Sequence, residues 1–227
     1  MRTVRLLFVL VPLLFVVPVA GADPIAAGDT IKFSDSYGNT GGGEFKITVN
    51  NNPADWFFTF CLQKTEYMNF TNTFIVGSIT DHTLTDPDDK GGVNGEDPIS
   101  SQTAWLYTQF RNGSLLNYDY ANAGNLQFAN REAAANALQH AFWGFEQEEA
   151  LDTNNYYVKL AQDNTPGNFG IGNVGVLNIY SYSSSAPGHI GAEAQDQLTL
   201  VPEPSTLALL GTGIFGLVVR RRQNARG

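Results

Sequence analysis

The sequence predicts a mainly β domain, sandwich or barrel-like, with two inserted α-helices and an apolar segment outside the domain at each chain end. Three observations support this. Short apolar or alternating stretches recur within residues 31–80 and 174–201, as in strands. Two stretches between them have helical spacing. The two chain ends combine apolar runs with basic residues, which is typical of targeting segments.

The first half of the chain contains four predicted strands. Two alternate apolar and polar residues on either side of the glycines at 41–43, which favours a turn between them. The third is a continuous aromatic run, as expected for a buried strand. The four strands are 31–33, 44–49, 56–62 and 72–80. Residues 81–101 are polar and rich in Asp, Gly and Pro, which predicts a long loop.

The second half contains the two predicted helices. Residues 103–111 have helical spacing and end at a favourable glycine cap. Residues 131–151 follow Asn130, a favourable N-cap, and place leucine and phenylalanine side chains on one face. We predict late strands at 156–161, 174–182 and 197–201, with a loop at 183–194.

The N-terminal residues 1–22 have the pattern of a signal peptide. Arg2 and Arg5 precede an apolar run from residue 6 to residue 19, and Ala20-Gly21-Ala22 fits the small-residue cleavage rule. We therefore predict cleavage after Ala22, which leaves Asp23 as the first mature residue. A retained membrane anchor is the alternative, although the run is short and interrupted by proline.

The C-terminal residues 201–227 combine three features in order. Pro202-Glu203-Pro204 precedes an apolar stretch at 206–219, and Arg220-Arg221-Arg222 follows it. The apolar stretch is shorter than the roughly twenty residues of a stable transmembrane span. This predicts a brief stay in a membrane followed by removal. The arginines form a stop-transfer cluster that stays on the cytoplasmic side.

This arrangement resembles the PEP-CTERM sorting signal of Gram-negative bacteria. The resemblance implies export through the secretion machinery and processing by an exosortase, a membrane transpeptidase that cuts near the motif. It also implies a transient stay in the inner membrane, then delivery to the cell surface or the extracellular matrix. The expected organisation is a signal peptide (1–22), a single extracellular β-rich domain (23–200) and a sorting signal (201–227).

Removal of both ends leaves a strongly acidic domain. The whole chain has a formal net charge of −9, whereas residues 23–201 keep seven basic and 21 acidic side chains, a formal charge of −14. This argues against nucleic-acid binding, which needs a basic surface to displace counterions from phosphates. A plain acidic secreted surface is the favoured interpretation, and attraction of divalent cations is the alternative. We expect no cofactor.

Residues 86–97 contain a partial calcium-loop pattern. Asp86, Asp88 and Asp97 fall at positions one, three and twelve, and Gly91 falls at position six. Lys90 occupies a ligand position, however, and the twelfth residue is Asp rather than Glu. A solvated turn is therefore favoured, with the three aspartates as candidate metal ligands. The three histidines lack metal-site spacing.

Cys61 is the single cysteine of the chain and cannot form an internal disulfide. It is either a buried apolar side chain in an aromatic strand or a chemically special thiol. Phe60-Cys61-Leu62 and the later segment 138–143, Leu-Gln-His-Ala-Phe-Trp, resemble the paired motifs of internal-thioester domains in bacterial surface adhesins. The resemblance spans residues 45–149.

The resemblance implies that Cys61 is the thiol and Gln139 the acyl donor of an internal thioester. Formation of this bond releases ammonia, and an amine can later open it to give a stable amide. Such a site needs sulfur and carbonyl in contact, with water excluded. His140 is a candidate for lowering the thiol pKa, although a helix turns it about 100° away from Gln139.

Three functions are compatible with these residues. The first is a biofilm or exopolysaccharide-matrix protein whose adhesin-like domain bonds covalently to amine-bearing partners, and which is not an enzyme. The second is a non-covalent structural or carbohydrate-binding matrix protein, with Cys61 merely packed. The third is an extracellular polysaccharide hydrolase that uses Glu146, Glu148 and Glu149. We expect these three acids to form the exposed face of the second helix instead.

Overall fold

The strands of the domain form two antiparallel sheets in a computed structural model, which describes residues 23–39, 42–66, 68–84, 96–165 and 170–201. They are β1 (Thr30–Asp35), β2 (Phe45–Val49), β3 (Trp56–Thr59), β4 (Phe74–Thr80), β5 (His82–Leu84), β6 (Glu96–Pro98), β7 (Val174–Tyr182) and β8 (Ile190–Leu200). Six of them form one sheet in the order β3-β2-β1-β4-β7-β8, and β5 pairs with β6. The mainly β prediction is confirmed, although the described strands do not close into a barrel.

The signal peptide and the sorting signal lie mostly outside the described residues. All of the signal peptide, including Ala22, lies outside them. The sorting signal lies outside them from residue 202 onward, and this part includes the apolar stretch 206–219. Across the part of the chain that the structure describes, no helix is both long and apolar enough to cross a membrane.

The two edges of the six-stranded sheet meet just beyond β3. The Phe60 carbonyl accepts a hydrogen bond from the Leu198 N–H at 3.1 Å. Cys61 then forms an isolated antiparallel bridge with Gln197 of β8. Cys61 is therefore held by backbone pairing at the place where the first and last strands of this sheet approach each other.

Three helices cover one side of β7 and β8. They are α1 (Ser101–Arg111), α2 (Arg131–Phe145) and α3 (Tyr156–Asn164). Val176 and Leu198 belong to the core that the helices share, whereas Leu177 and Ile179 belong to a second core with β1 and β2. The alternation of neighbouring residues between two cores is the expected consequence of the two-residue period of a strand.

Both predicted helices are present, but α2 ends at Phe145 rather than at residue 151. The N-cap prediction holds, because the Asn130 side chain accepts a hydrogen bond from the Ala133 N–H. The helix stops because Gln147 adopts a positive φ of 65°, which a right-handed helix cannot contain.

The predicted strand at 156–161 is wrong, since these residues belong to α3. Asn155 caps this helix by accepting a hydrogen bond from the Tyr157 N–H at 2.8 Å. Tyr157 and Ala161 are both buried and lie four residues apart, on one face of a helix. Packing of this face against the other helices outweighs the preference of tyrosine and valine for strands.

Two predicted loops also contain strand residues. The segment 81–101 includes the β5–β6 pair, and the segment 183–194 includes the start of β8. A single 3-10 turn at Pro187–His189 leads into β8. The first half of β8 is largely exposed and consists mainly of glycine and alanine, so it lacks the run of large apolar residues by which strands are recognised.

The ends of the described domain lie side by side. The Asp23 N–H donates to the Leu200 carbonyl at 2.8 Å. The Asp23 carboxylate is buried, where it binds the Arg111 guanidinium at 2.6 Å and accepts a hydrogen bond from the Leu200 N–H at 2.7 Å. The positions at which the two predicted tags join the domain are therefore adjacent.

A buried ion pair fixes the start of α2 against β2. Glu44, directly before β2, accepts hydrogen bonds from Arg131 Nε at 3.0 Å and Arg131 Nη2 at 2.9 Å. The Tyr118 and Ser36 hydroxyls donate to the same carboxylate. Two-point pairing of this kind sets orientation as well as distance. It therefore fixes α2 about two turns before Gln139.

We expect Glu44→Gln to lower the free energy of unfolding by about 3–5 kcal/mol, because the Arg131 charge would remain buried without its partner. Chemical denaturation measures this change. The control is Lys64→Met, which breaks a partly exposed pair with Glu149 and should cost about 1 kcal/mol or less. Equal losses in the two variants would contradict the role given to the buried pair.

Candidate functional site

The structure brings Cys61 and Gln139 into contact, although they are 78 residues apart in the chain. The distance from Cys61 Sγ to Gln139 Oε1 is 3.2 Å. Each side chain is only 1% exposed. Backbone pairing beyond β3 positions the cysteine, and α2 positions the glutamine.

The side-chain amide of Gln139 is held at both ends. Its Oε1 accepts hydrogen bonds from the backbone N–H of Cys61 at 3.2 Å and of Gly43 at 3.3 Å. Its Nε2 donates to the Cys61 carbonyl at 2.7 Å. Two backbone N–H groups on one carbonyl oxygen form the arrangement that stabilises a developing oxyanion. The amide is therefore both fixed beside the sulfur and polarised for attack.

Glycine allows the loop before β2 to approach this amide. Gly42 and Gly43 have φ values of +117° and +121°, a region that residues with a side chain rarely adopt. A Cβ on Gly42 would lie 2.5 Å from the Trp143 ring and 2.7 Å from Gln139 Cγ. The sequence predicted a simple turn here and missed Gly43 as a partner of Gln139. The run of glycines at residues 41–43 was the one signal in the sequence for this close approach.

Cys61 lines a cleft of ≈ 490 Å³. The apolar side chains that share this cleft are Phe45, Met68, Phe70 and Trp143, and the charged ones are Asp35, Lys64 and Glu66. The cleft provides a small molecule with a path from solvent to the sulfur. Its apolar wall disfavours water close to the Cys61–Gln139 contact.

Burial raises the pKa of the Cys61 thiol well above its usual range, while a backbone hydrogen bond and the Trp143 side chain oppose this rise. The negative charge of Glu148 raises the pKa further. The thiol is therefore protonated at neutral pH, and any reaction here must move that proton.

His140 does not serve as a neighbour of the thiol. Its side chain is 51% exposed, and its Nδ1 lies 2.8 Å from Glu149 Oε1. Because His140 follows Gln139 directly on α2, it projects from a different side of the helix. This position agrees with the prediction that the helix turns His140 away from Gln139.

The three acids after α2 do not form an exposed helical face, so that expectation is wrong. Glu146 is buried and accepts hydrogen bonds from the Ser100 hydroxyl at 2.8 Å and the Ser100 N–H at 3.2 Å. Glu148 is also buried and accepts the Lys64 N–H, and Glu149 binds Lys64 Nζ at 2.6 Å. These acids attach the end of α2 to α1 and to the segment after Cys61.

The calcium-loop pattern stays a prediction. Asp97 lies in β6 and is half-buried, whereas Asp86 and Asp88 lie outside the described residues. Within the described ranges, no group of three or more His, Cys, Asp or Glu side chains is placed to hold a metal ion.

Comparison with known proteins identifies the C-terminal tail. Residues 200–222 match the family model of the PEP-CTERM protein-sorting motif. The chain carries a PEP-CTERM sorting signal. The resemblance based on Pro202-Glu203-Pro204 and the arginines Arg220, Arg221 and Arg222 is thereby confirmed, as is export with exosortase processing on the way to the cell surface.

This match is confined to the tail. No curated protein and no solved structure matches the chain. The chemistry of the domain therefore depends on the geometry of its own site.

Gly42→Ala should lower the free energy of unfolding by about 1–3 kcal/mol more than Gly28→Ala, as overpacking of a core does. Both glycines have a positive φ beyond the left-handed helical region, +117° and +92°, but a Cβ on Gly28 meets nothing within 4 Å. The comparison therefore separates the clash with Trp143 and Gln139 from the strain of the backbone. Thermal and chemical denaturation measure it, and equal losses would show that the loop does not press on this pair.

Stability of the domain should fall as pH rises from about 4.5 to above 7. Burial raises the pKa of Glu146 from 4.5 to about 7, so folding favours its protonated form. The stabilisation is complete below the lower value and is lost as pH rises through the higher one, by a loss on the order of 3 kcal/mol.

Glu146→Gln, which mimics the protonated form, should flatten this pH dependence, whereas the exposed Glu132→Gln should leave it unchanged. The wild-type protein and both variants retain Asp196, whose pKa burial raises to about 8. Its contribution to the pH dependence is therefore the same in all three and cancels in the comparison. Denaturation curves across this pH range provide the measurement. An unchanged slope in Glu146→Gln would assign the effect to other groups.

Proposed function

We propose that the domain forms an internal thioester between Cys61 and Gln139, which attaches the exported protein covalently to an amine-bearing partner. The observation that carries this proposal is the 3.2 Å contact between Cys61 Sγ and Gln139 Oε1 beneath two backbone N–H donors. A domain that uses its bond once is a covalent binding protein rather than an enzyme.

Formation of the bond requires only groups present at the site. The Cys61 sulfur attacks Gln139 Cδ, and negative charge collects on Oε1. The Cys61 and Gly43 N–H groups already donate to that oxygen, so the charge is stabilised without rearrangement. Nε2 then departs as ammonia and takes with it the proton of the thiol. The products are the thioester and one ammonia.

The buried position explains how such a bond would persist. Both partners are nearly inaccessible, so bulk water has little access to the carbonyl. A primary amine that enters the cleft lined by Cys61 can reach the bond. Its attack gives an amide on Gln139 and restores the Cys61 thiol. The partner would be an amine-bearing surface molecule or an amine-bearing polysaccharide of the matrix.

The burial of Gln139 supports this function over a merely packed cysteine. Burying a side-chain amide costs free energy unless it is hydrogen-bonded, and an apolar residue would fill the position at lower cost. Here the amide is buried with its carbonyl against the one sulfur that could attack it. A reactive pair accounts for this choice of residue.

The second candidate is a non-covalent structural or carbohydrate-binding matrix protein. One observation favours it: both polar ends of the Gln139 amide already have hydrogen-bond partners. The same contacts could simply fasten α2 to the segment after β3. The hydrolase candidate gains no such support, because Glu146 and Glu148 are buried and bound to neighbouring groups.

We expect the processed protein to be lighter than its sequence by one ammonia, and methylamine to add across the bond. Intact-mass spectrometry measures both changes. Comparison with Cys61→Ser, which cannot form a thioester, cancels the uncertainty in the positions of the terminal cuts. Gln139→Ala should also abolish the deficit. Gln102→Ala on α1 is the matched control and should retain it.

Full mass in fresh wild-type protein, with one thiol titratable after denaturation, would reject the thioester. The non-covalent candidate would then be the better account. A deficit that persists in Gln139→Ala would place the bond on another residue.

A further inference from the structure

A third hydrogen-bond donor lies beside the sulfur without a partner of its own. Trp143 follows Gln139 by one turn of α2, is 3% exposed and lines the cleft with Cys61. Its buried Nε1–H makes no hydrogen bond to any described group. An unsatisfied buried donor costs about 1–3 kcal/mol, so its retention requires an explanation.

The indole ring is held in place by its neighbours. Lys64 Nζ lies 5.4 Å from the ring centroid, and the His140 ring packs edge-on at 5.4 Å. Gly42 leaves room for the far side of the ring, where any Cβ would clash. The Trp143 side chain favours the anionic form of the Cys61 thiol, so its N–H lies near the sulfur although it makes no hydrogen bond to the uncharged thiol. The donor is therefore fixed on the sulfur side of the site.

We propose that the Trp143 N–H stabilises the Cys61 thiolate as it leaves the thioester, and so accelerates the reaction of this bond with amines. This inference rests on the proposed thioester. It gives the indole a catalytic role in addition to the exclusion of water from the site.

The proposed acceleration depends on binding that differs between the resting state and the transition state. A neutral thioester sulfur is a weak acceptor, so the N–H gains little from it in the resting state. A departing thiolate carries a full negative charge in a site of low dielectric, where a fixed donor is worth more than in water. An interaction that is stronger in the transition state than in the ground state accelerates the reaction.

The three N–H donors then stabilise negative charge at two different atoms during one reaction. A neutral amine attacks Gln139 Cδ, and Oε1 develops charge between the Cys61 and Gly43 N–H groups. The C–S bond breaks, and its electron pair goes to sulfur beside the Trp143 N–H. The amine nitrogen loses one proton, which the thiolate takes up. The products are a substituted amide on Gln139 and the Cys61 thiol.

The decisive experiment measures the rate constant for methylamine addition to the processed protein by intact mass. Trp143→Phe keeps an aromatic ring and removes the N–H, and should slow the addition on the order of tenfold or more. Trp105→Phe makes the same chemical change on α1, outside this cleft, and should react at the wild-type rate. A rate constant does not depend on the fraction of protein that holds the bond.

The rates with methylamine and with the bulkier butylamine distinguish the loss of a hydrogen-bond donor from a change in the shape of the cleft. Loss of a donor to the leaving sulfur slows methylamine and butylamine by the same factor. A change in the shape of the cleft alters the ratio of the two rates. An altered ratio with little slowing of methylamine would overturn the donor role.

The wild-type protein supplies a test that needs no variant to fold. The indole N–H resonance of Trp143 should shift when methylamine opens the bond, because the sulfur changes from thioester to thiol. An unchanged resonance, or a wild-type rate in Trp143→Phe, overturns this inference and leaves the thioester standing. A wild-type protein without the ammonia deficit overturns both.

Discussion

The buried ion pair between Glu44 and Arg131 is the constraint on which the geometry of the site depends. Glu44 follows Gly43 directly, and Arg131 begins the helix that carries Gln139. The pair therefore fixes the spacing between a backbone donor and the amide that it polarises. Buried ion pairs add little net stability, but the loss of one partner is severe. This asymmetry suits an interaction whose role is to set position.

Burial creates a conflict within the site. It keeps Cys61 protonated and excludes water, which would preserve a thioester, but it also opposes every charged intermediate of the reaction. Fixed dipoles can resolve this conflict because they stabilise charge without admitting solvent. The Cys61 and Gly43 N–H groups face the carbonyl oxygen, and the Trp143 N–H faces the sulfur. The polar groups are thus placed at the two atoms on which charge would develop.

The sequence was sufficient for features that have a local signal. Alternation revealed β2, and helical spacing with a cap revealed α2. Local signals failed where tertiary contacts decide: α3 is helical because its tyrosine face packs against helices, and Glu146 is buried because α2 ends before it. The Cys61–Gln139 pair was found through short motifs. Gly43 and the Trp143 donor were missed, because the direction of an N–H group has no sequence pattern.

The sorting signal and the site bear on each other through the chemistry of the exported thiol. Outside the cytoplasm, a lone exposed thiolate is open to oxidation, whereas a buried, protonated thiol is protected. Burial of Cys61 therefore solves the problem that export creates. The same burial makes the sulfur a poor nucleophile and a poor leaving group. A protein exported with such a cysteine gains reactivity only if neighbouring donors restore it, and the polar groups around Cys61 and Gln139 are arranged in that way.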